Sequence, residues 1–149
     1  MTPEIKPKAI CVFRNNNEIL VSEYIDPKTN KPFYRPIGGR IDFGENSAIA
    51  LEREVKEELG AEIQNTRYLG VIENIYHHKG KKSHEIMFIY DADFKDQIFY
   101  YETIIEGFEY TDERKFTIYW KSLSEFLDGT STLYPRGLLD LLIEDMLTD

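Results

Sequence analysis

Runs of apolar residues separated by polar turns predict short strands in the first forty residues. The apolar run Ala9–Phe13 and the segment Glu18–Tyr24 lie on either side of three consecutive asparagines, a pattern that predicts a β-hairpin. The composition of Asp26–Pro32 is typical of a loop. The short aromatic segment Phe33–Ile37 then reaches the glycine pair Gly38-Gly39, where we expect the strand pattern to break.

The clearest predicted element is a helix from Ser47 to Leu59. Ser47 or Asn46 can cap its amino end, and Gly60 stands where a left-handed carboxyl-terminal cap is expected. Four apolar residues fall on one face at helical spacing, namely Ala48, Leu51, Val55 and Leu59. This pattern predicts that one face of the helix packs against the core.

The rest of the chain predicts further strands and two more helices. Strand-like segments are Tyr68–Ile75, Glu85–Ala92, Gln97–Tyr101 and Phe116–Trp120. The polar stretch Lys79–Lys82 predicts a hairpin turn, Ser122–Leu127 a short helix and Gly137–Met146 an amphipathic helix. Strands on both sides of one central helix predict a mixed α/β fold with helices packed on a sheet. The length of 149 residues favours a single domain over residues 1–149.

Charge and composition exclude several functions and suggest a compartment. Acidic residues outnumber basic ones by 27 to 18, so bulk electrostatic binding to nucleic acid or to an anionic membrane is not expected. A phosphate-bearing substrate remains compatible, because a bound divalent cation reverses the local charge. The one cysteine, Cys11, has apolar neighbours and predicts a buried strand thiol. With no signal-peptide pattern and no apolar run of about twenty residues, we expect a cytoplasmic protein.

The polar face of the predicted helix carries three glutamates and one arginine. Glu54 and Glu58 are one turn apart, and Glu57 and Arg53 fall on the same side. Like charges at this spacing destabilise an isolated helix by about 0.2–0.5 kcal/mol per pair. Such a face is either simply solvated or holds a hard cation, since Mg²⁺ and Mn²⁺ prefer carboxylate oxygens.

The residues before the helix favour the second alternative. Gly39 is followed after five residues by Glu45, and seven residues later by Arg53-Glu54-Val55-Lys56-Glu57-Glu58-Leu59-Gly60-Ala61. This segment resembles the Nudix box: Gly, five residues, Glu, seven residues, Arg-Glu, an aliphatic, any residue, Glu-Glu, any residue, Gly, an aliphatic. The resemblance implies the Nudix fold, an α/β/α sandwich around a mixed β-sheet. Two features outside the core signature leave the substrate branch open: Ile37 separates Pro36 from the glycine pair, and Asp42 stands where glutamate is usual.

The resemblance also implies an activity and a set of roles. Nudix hydrolases cleave a phosphoanhydride bond in a nucleoside diphosphate linked to another moiety, by attack of metal-activated water, with Mg²⁺ or, as a substitute, Mn²⁺. By position in the box, the catalytic residues are Arg53, Glu54, Glu57 and Glu58, and the metal ligands are Glu54, Glu57, Glu58 and the carbonyl of Gly39. Arg53 is expected to orient the carboxylates and to pair with Glu45, although an ordinary surface pair with Glu57 is the alternative. Gly38, Gly44 and Glu45 are expected to shape the loop.

Other functional residues are expected outside the box. The general base is either Glu54 or a later glutamate, for which the candidates are Glu102, Glu106 and Glu109. Candidate substrate-binding residues are Tyr34, Arg35 and Arg40, and further aromatic residues that can stack on a base are Phe33, Phe99, Tyr100 and Tyr101. We expect Trp120 in the core, His77 and His78 in a loop, and the lysines at 79, 81 and 82 at an exposed hairpin tip.

Two other functions compete with a hydrolase of small nucleotides. A catalytically silent Nudix-type module would bind or sense a ligand, but such modules commonly lose glutamates that this box retains. An unrelated acidic interaction protein would need the full box to match by chance. The expected partner is therefore a small-molecule nucleotide: a nucleoside triphosphate, a nucleotide sugar, ADP-ribose or another nucleoside diphosphate. The oligomeric state is open, with a homodimer as one alternative because homodimers are common in the family.

Overall fold

The strand Ile5–Cys11 (β1) places alternate side chains in two different cores. In this computed structural model, which describes residues 3–110 and 113–148, Ala9 and Cys11 belong to one buried cluster and Ile10 to a second. The first core lies under the helix Ser47–Leu59 (α1). Cys11 is thus the buried strand thiol that its apolar neighbours predicted.

The described residues form two β-sheets. The first sheet has the strand order β5-β1-β7-β6, with β5 at Ile37–Arg40, β6 at Ile63–His78 and β7 at Lys81–Phe94. Strand β1 runs parallel to β7 and antiparallel to β5, so this sheet is mixed. The second has the order β2-β3-β9-β8, with β4 also paired to β3; the strands are Arg14–Asn15 (β2), Glu18–Ile25 (β3), Pro32–Arg35 (β4), Ile105–Glu109 (β8) and Arg114–Ser122 (β9).

Helices cover both faces of this β-structure. Leu51 and Val55 of α1 bury themselves in the first core. Two C-terminal helices, Leu123–Leu127 (α2) and Leu138–Leu147 (α3), place Phe126, Leu138 and Leu142 in the second core. This arrangement confirms the predicted α/β/α architecture. No helix within the described ranges is long and apolar enough to cross a lipid bilayer.

Helix α1 begins and ends where its sequence predicts. Asn46 is the cap, and its Oδ1 accepts a hydrogen bond of 2.9 Å from the backbone N–H of Ile49. Ser47, the other candidate cap, instead shares a 2.5 Å hydrogen bond with the hydroxyl of Tyr90. Gly60 closes the helix with φ 69°, a left-handed conformation that glycine adopts without steric cost.

The predicted hairpin between Ala9–Phe13 and Glu18–Tyr24 is wrong. Strand β1 lies between β5 and β7 in the first sheet, while β3 belongs to the second sheet. The turn at the asparagines joins the two-residue β2 to β3, and of the predicted first arm Phe13 accepts a 3.1 Å hydrogen bond from the N–H of Leu20. The physical reason is that residues 9–13 are buried on both faces, which suits a central strand and not one arm of an exposed hairpin.

Three other segments also differ from their predictions. Gly38 and Gly39 do not break the strand pattern, because both pair with β1 inside β5. Gln97–Tyr100 is a 3₁₀ helix and not a strand; Asp96 caps it by accepting a 3.0 Å hydrogen bond from the N–H of Ile98. Strand β8 was not predicted, since its central glycine and two glutamates resemble a loop composition.

The remaining predicted elements are confirmed with longer bounds. The turn at Lys79-Gly80 joins β6 to β7, and these strands extend well beyond their predicted cores. The strand β9 and the helices α2 and α3 contain the predicted segments to within one or two residues. Trp120 packs against the first core, and its Nε1 donates a 3.0 Å hydrogen bond to the carbonyl of Phe99.

Candidate active site

Three carboxylates meet between helix α1 and strand β8. Each of Glu54, Glu58 and Glu109 offers an oxygen that lies within 4.8 Å of the other two. Helix α1 contributes two of them one turn apart, as the helical periodicity requires. The third comes from a strand about fifty residues later in the chain. Glu58 is 7% exposed, so this cluster is not a solvated acidic face.

Glu109 reaches the cluster because β8 packs tightly against α1. Ile105, Gly107 and Glu109 alternate along one face of β8, whereas Glu106 faces outward and is exposed. A Cβ on Gly107 would lie 2.5 Å from the ring of Phe116 and 3.0 Å from Leu59 of α1. A side chain at this position would therefore push the strand away from the helix and the third carboxylate with it.

Burial and neighbouring charge alter the protonation of Glu58. Its pKa is raised to about 10, first by burial and then by hydrogen bonds and charge from Glu109 and Glu54. Without a cation, Glu58 therefore keeps its proton at neutral pH. A bound cation would replace that proton, since a metal ligand must be deprotonated.

The donor set fits a hard divalent cation. Mg²⁺ and Mn²⁺ prefer oxygen ligands, and three carboxylates already converge here to within 4.8 Å of one another. A Cβ on Gly39 would overlap the carboxyl group of Glu54, so the backbone of β5 lies directly against one member of the cluster. Glu57 is exposed and lies outside the cluster, and its role as a ligand stays a prediction, as does that of the Gly39 carbonyl.

Arg53 joins the loop before α1 to the helix. Its Nε donates a 2.7 Å hydrogen bond to Glu45, and its two terminal nitrogens bond Glu45, Glu54 and the carbonyl of Arg40 at 2.9–3.1 Å. The alternative surface pair with Glu57 also exists, but it is longer, at 3.3 Å. Arg53 thus holds Glu54 in place and fixes the loop at the same time.

The loop itself is stabilised around Glu45. Its Oε1 accepts a 3.0 Å hydrogen bond from the N–H of Asp42. This bond and the stronger one from Arg53 lower the pKa of Glu45 to about 2, so it stays ionised. Gly44 has φ 86°, which glycine accommodates, while Gly38 has no room for a Cβ beside the backbone of Ala9 and Ile10.

The three clustered carboxylates line one of two cavities that share lining residues. The first, about 420 Å³ and here named the carboxylate cavity, contains the three glutamates and five basic residues: Lys6, Lys8, Arg35, Arg40 and Arg114. The second, about 340 Å³ and here named the aromatic cavity, is lined by one phenylalanine and three tyrosines: Phe33, Tyr24, Tyr76 and Tyr134. Tyr24 and Arg35 line both cavities, and the Arg35 guanidinium lies 5.4 Å from the Tyr24 ring centroid.

Two of the three predicted substrate-binding residues line a cavity, and the third lies in the core. Arg35 and Arg40 line the carboxylate cavity, as a substrate contact requires. Tyr34 does not reach either cavity, because strand alternation turns it away from Phe33 and Arg35 into the second core. Its ring packs edge-on against Phe126 at 5.8 Å. The prediction that Tyr34 binds substrate is therefore corrected to a core role.

The other aromatic and basic residues singled out in the sequence lie partly in the core, partly in the aromatic cavity and partly at the surface. Phe99 and Tyr100 pack against the first core, while Tyr101 is exposed. His77 and His78 are not in a loop: they end β6 and line the aromatic cavity. The lysines at 79, 81 and 82 lie at the exposed hairpin tip, as predicted. The walls formed by Tyr24 and Tyr134 carried no local sequence signal, because they come from segments about 110 residues apart.

A family model described as NUDIX domain matches residues 5–128. The chain belongs to the NUDIX domain family. The match runs from β1 through the end of α2, so α3 and Tyr134 lie outside it. It confirms the family that the box residues indicated.

Two kinds of relatives show how far this NUDIX domain resembles known proteins. Over 68 residues it is 38% identical to the "NAD-capped RNA hydrolase NudC" of Vibrio atlanticus and 34% identical to that of Pseudomonas putida, covering 46% of this chain and 24% of each relative. The matched stretch is thus about a quarter of those proteins. A MutT NUDIX hydrolase from Burkholderia pseudomallei superposes with TM-score 0.59 at 21% identity, over 81% of this chain and 85% of that one. A NUDIX hydrolase from Nitrosomonas europaea gives TM-score 0.60 at 17% identity, over 97% and 90%. These likenesses confirm the fold.

Proposed function

We propose that this NUDIX domain is a Mg²⁺-dependent pyrophosphohydrolase that cleaves the phosphoanhydride bond of a nucleoside diphosphate linked to another moiety. Mn²⁺ is the expected substitute. The observation that carries the proposal is the convergence of Glu54, Glu58 and Glu109 beside a cavity with five basic side chains. The carboxylates would hold divalent cations, and the basic side chains would bind the phosphate oxygens of the substrate.

Each group in the carboxylate cavity has a role in this proposal. The three glutamates would hold divalent cations, which would supply charge neutralisation and an activated water when bound. Arg53 is a positioning residue that keeps Glu54 oriented. Arg35 and Arg40 bind phosphate oxygens, and the aromatic cavity next to them takes the base by stacking. The general base is Glu54 or Glu109, since these share the cluster with the buried Glu58.

The choice of substrate rests on charge and on the relatives. The net charge of −9 disfavours a long nucleic acid chain, so we propose a small nucleotide. The relatives named as NAD-capped RNA hydrolases suggest a dinucleotide diphosphate as one class to test. A single domain, a cytoplasmic location and a homodimer stay predictions.

A substrate panel tests the activity. Nucleoside triphosphates, ADP-ribose, nucleotide sugars, dinucleoside polyphosphates and NAD are each incubated with Mg²⁺, with Mn²⁺ and with chelator. Glu58→Gln removes one cluster carboxylate, and Glu52→Gln is the matched control, an exposed glutamate on the same helix. We expect metal-dependent release of a nucleotide by the unaltered protein and by Glu52→Gln, with a loss of several orders of magnitude in Glu58→Gln.

The same panel distinguishes a sensor from an enzyme. The retained carboxylate cluster favours the enzyme, since a module that only binds a ligand has no need of three converging glutamates. Tight ligand binding without turnover in any metal would contradict the hydrolase and support the silent module.

A further inference from the structure

An ion pair links a residue that lines one cavity to a residue that lines the other. Glu85 of β7 is 2% exposed and lines the aromatic cavity, whereas Lys8 of β1 lines the carboxylate cavity. The Lys8 ammonium lies 2.5 Å from Oε2 of Glu85. The two strands are neighbours in the first sheet, so this pair is held by backbone pairing and does not depend on a flexible loop.

One oxygen of this carboxylate has no partner. Among the described residues, Oε1 of Glu85 is buried and accepts no hydrogen bond, although its sister oxygen is paired. A buried carboxylate oxygen left without a hydrogen-bond donor destabilises the folded state, because it has lost its hydrogen bonds to water. Most buried polar groups have a hydrogen-bond partner. The unpaired oxygen of Glu85, a residue that lines a cavity, is explained if a bound ligand supplies the missing donor.

The residues around Glu85 indicate which chemical group would approach its carboxylate. Asn74 lies directly across from Glu85 on β6, and Met87 follows it on the same face of β7; both also line the aromatic cavity. The other walls include Phe33 and Tyr134, whose rings pack edge to face at 5.0 Å. A planar heteroaromatic ring is the ligand that such walls favour, and an edge of that ring would meet the carboxylate.

We propose that Glu85 determines base specificity: its Oε1 accepts a hydrogen bond from the exocyclic amino group of an adenine or cytosine held in the aromatic cavity. Lys8 holds the carboxylate in place through the other oxygen. A base with a carbonyl at that position meets oxygen against oxygen and is rejected. This inference rests on the proposed function for its biological meaning, because the base belongs to the nucleotide being cleaved.

Nucleoside binding without metal tests the inference independently of hydrolysis. Two matched pairs differ only in the amino group: adenosine against purine riboside, and cytidine against pyrimidin-2-one riboside. In titration calorimetry with chelator, we expect either adenosine or cytidine to bind about 10- to 100-fold more tightly than the matched nucleoside without the amino group. This is the range for a hydrogen bond to a charged group. Glu85→Met should reduce this preference to less than about threefold.

Two further variants keep the test decisive. The double variant Lys8→Met with Glu85→Met removes both charges together, which preserves folding if Glu85→Met alone does not. Glu73→Met is the matched control, an exposed glutamate on the adjacent strand β6, and should leave the preference unchanged.

The outcomes separate this inference from the proposed function. Equal affinities within both pairs, no binding of adenosine and cytidine, or a preference that survives Glu85→Met would overturn the role of Glu85 even if the protein hydrolyses nucleotides. An affinity that depends instead on the ribose 2′-hydroxyl, measured with 2′-deoxyadenosine, would overturn it as well. An amino preference that disappears in Glu85→Met supports the role even if the substrate panel shows no turnover.

Discussion

Replacing Glu58 by glutamine changes how the stability of the metal-free protein depends on pH. Burial and two neighbouring carboxylates raise the pKa of Glu58 to about 10, against about 4.5 for an unperturbed glutamate. Between these values the folded state binds one more proton than the unfolded state. The stabilisation is complete below about pH 4.5 and is lost as the pH rises towards about 10. The slope is up to about 1.4 kcal/mol per pH unit.

Glutamine has no proton to lose at this position, so the variant lacks this slope. The free energy of unfolding of Glu58→Gln, relative to the unaltered protein, should therefore rise by about 2.7 kcal/mol between pH 6 and pH 8. The slope does not require the pKa to equal 10, provided that it lies above the pH range measured.

Urea denaturation in chelator at pH 6, 7 and 8 measures this difference. Glu52→Gln, an exposed glutamate of the same helix, is the control and should follow the unaltered protein at every pH. A difference between Glu58→Gln and the unaltered protein that is the same at all three pH values would refute the reasoning. Saturating Mg²⁺ should reverse this pH dependence of the stability difference, because the unaltered protein then exchanges the proton of Glu58 for a stabilising cation.

Three further substitutions test other parts of the site and the fold. Gly39→Ala places a Cβ against the Glu54 carboxyl and should weaken Mn²⁺ binding at least about tenfold in calorimetry; unchanged affinity would show that the cluster adapts. In Arg53→Lys, the lysine ammonium cannot hydrogen-bond several acceptors in one plane as the guanidinium does, so kcat should fall about tenfold or more in steady-state assays. Full activity of this variant would argue against a positioning role for Arg53. Asp145 of α3 forms ion pairs with Arg67 and Arg14. Asp145→Asn weakens these pairs and should lower the free energy of unfolding by about 1–3 kcal/mol. Hydrogen exchange should then be faster in α3 than in α1, and equal exchange would contradict this role.

The sequence predicted those features whose residues are close together in the chain. Helix α1, a cap at Ser47 or Asn46 and an end at Gly60 follow from local chemistry, and the structure confirms the helix and its end, with Asn46 as the cap. The box pattern around Arg53 indicated the family, which the match over residues 5–128 confirms. The pairing of Arg53 with Glu45 also follows from the box, since both positions belong to one motif.

The features that the sequence did not predict depend on contacts between distant segments. Strand β1 was assigned to a hairpin because the chain reverses after it, whereas its partners β5 and β7 lie far along the chain. The sequence offered three glutamates as later bases without a preference. Only the alternation along β8 and the tight packing at Gly107 bring Glu109 to the cluster.

The wall that the two cavities share makes the site sensitive to molecular length. Tyr24 and Arg35 border both spaces, so one ligand can occupy them together only if it is long enough to pass this boundary. A free base or a free phosphate fills one space and leaves the other to solvent. In the proposed function, a nucleotide joined through a diphosphate would span both, with one end among aromatic rings and the other among charged groups. Under the proposed function, the two cavities would thus select a ligand by the separation between two of its chemical groups as well as by the identity of those groups.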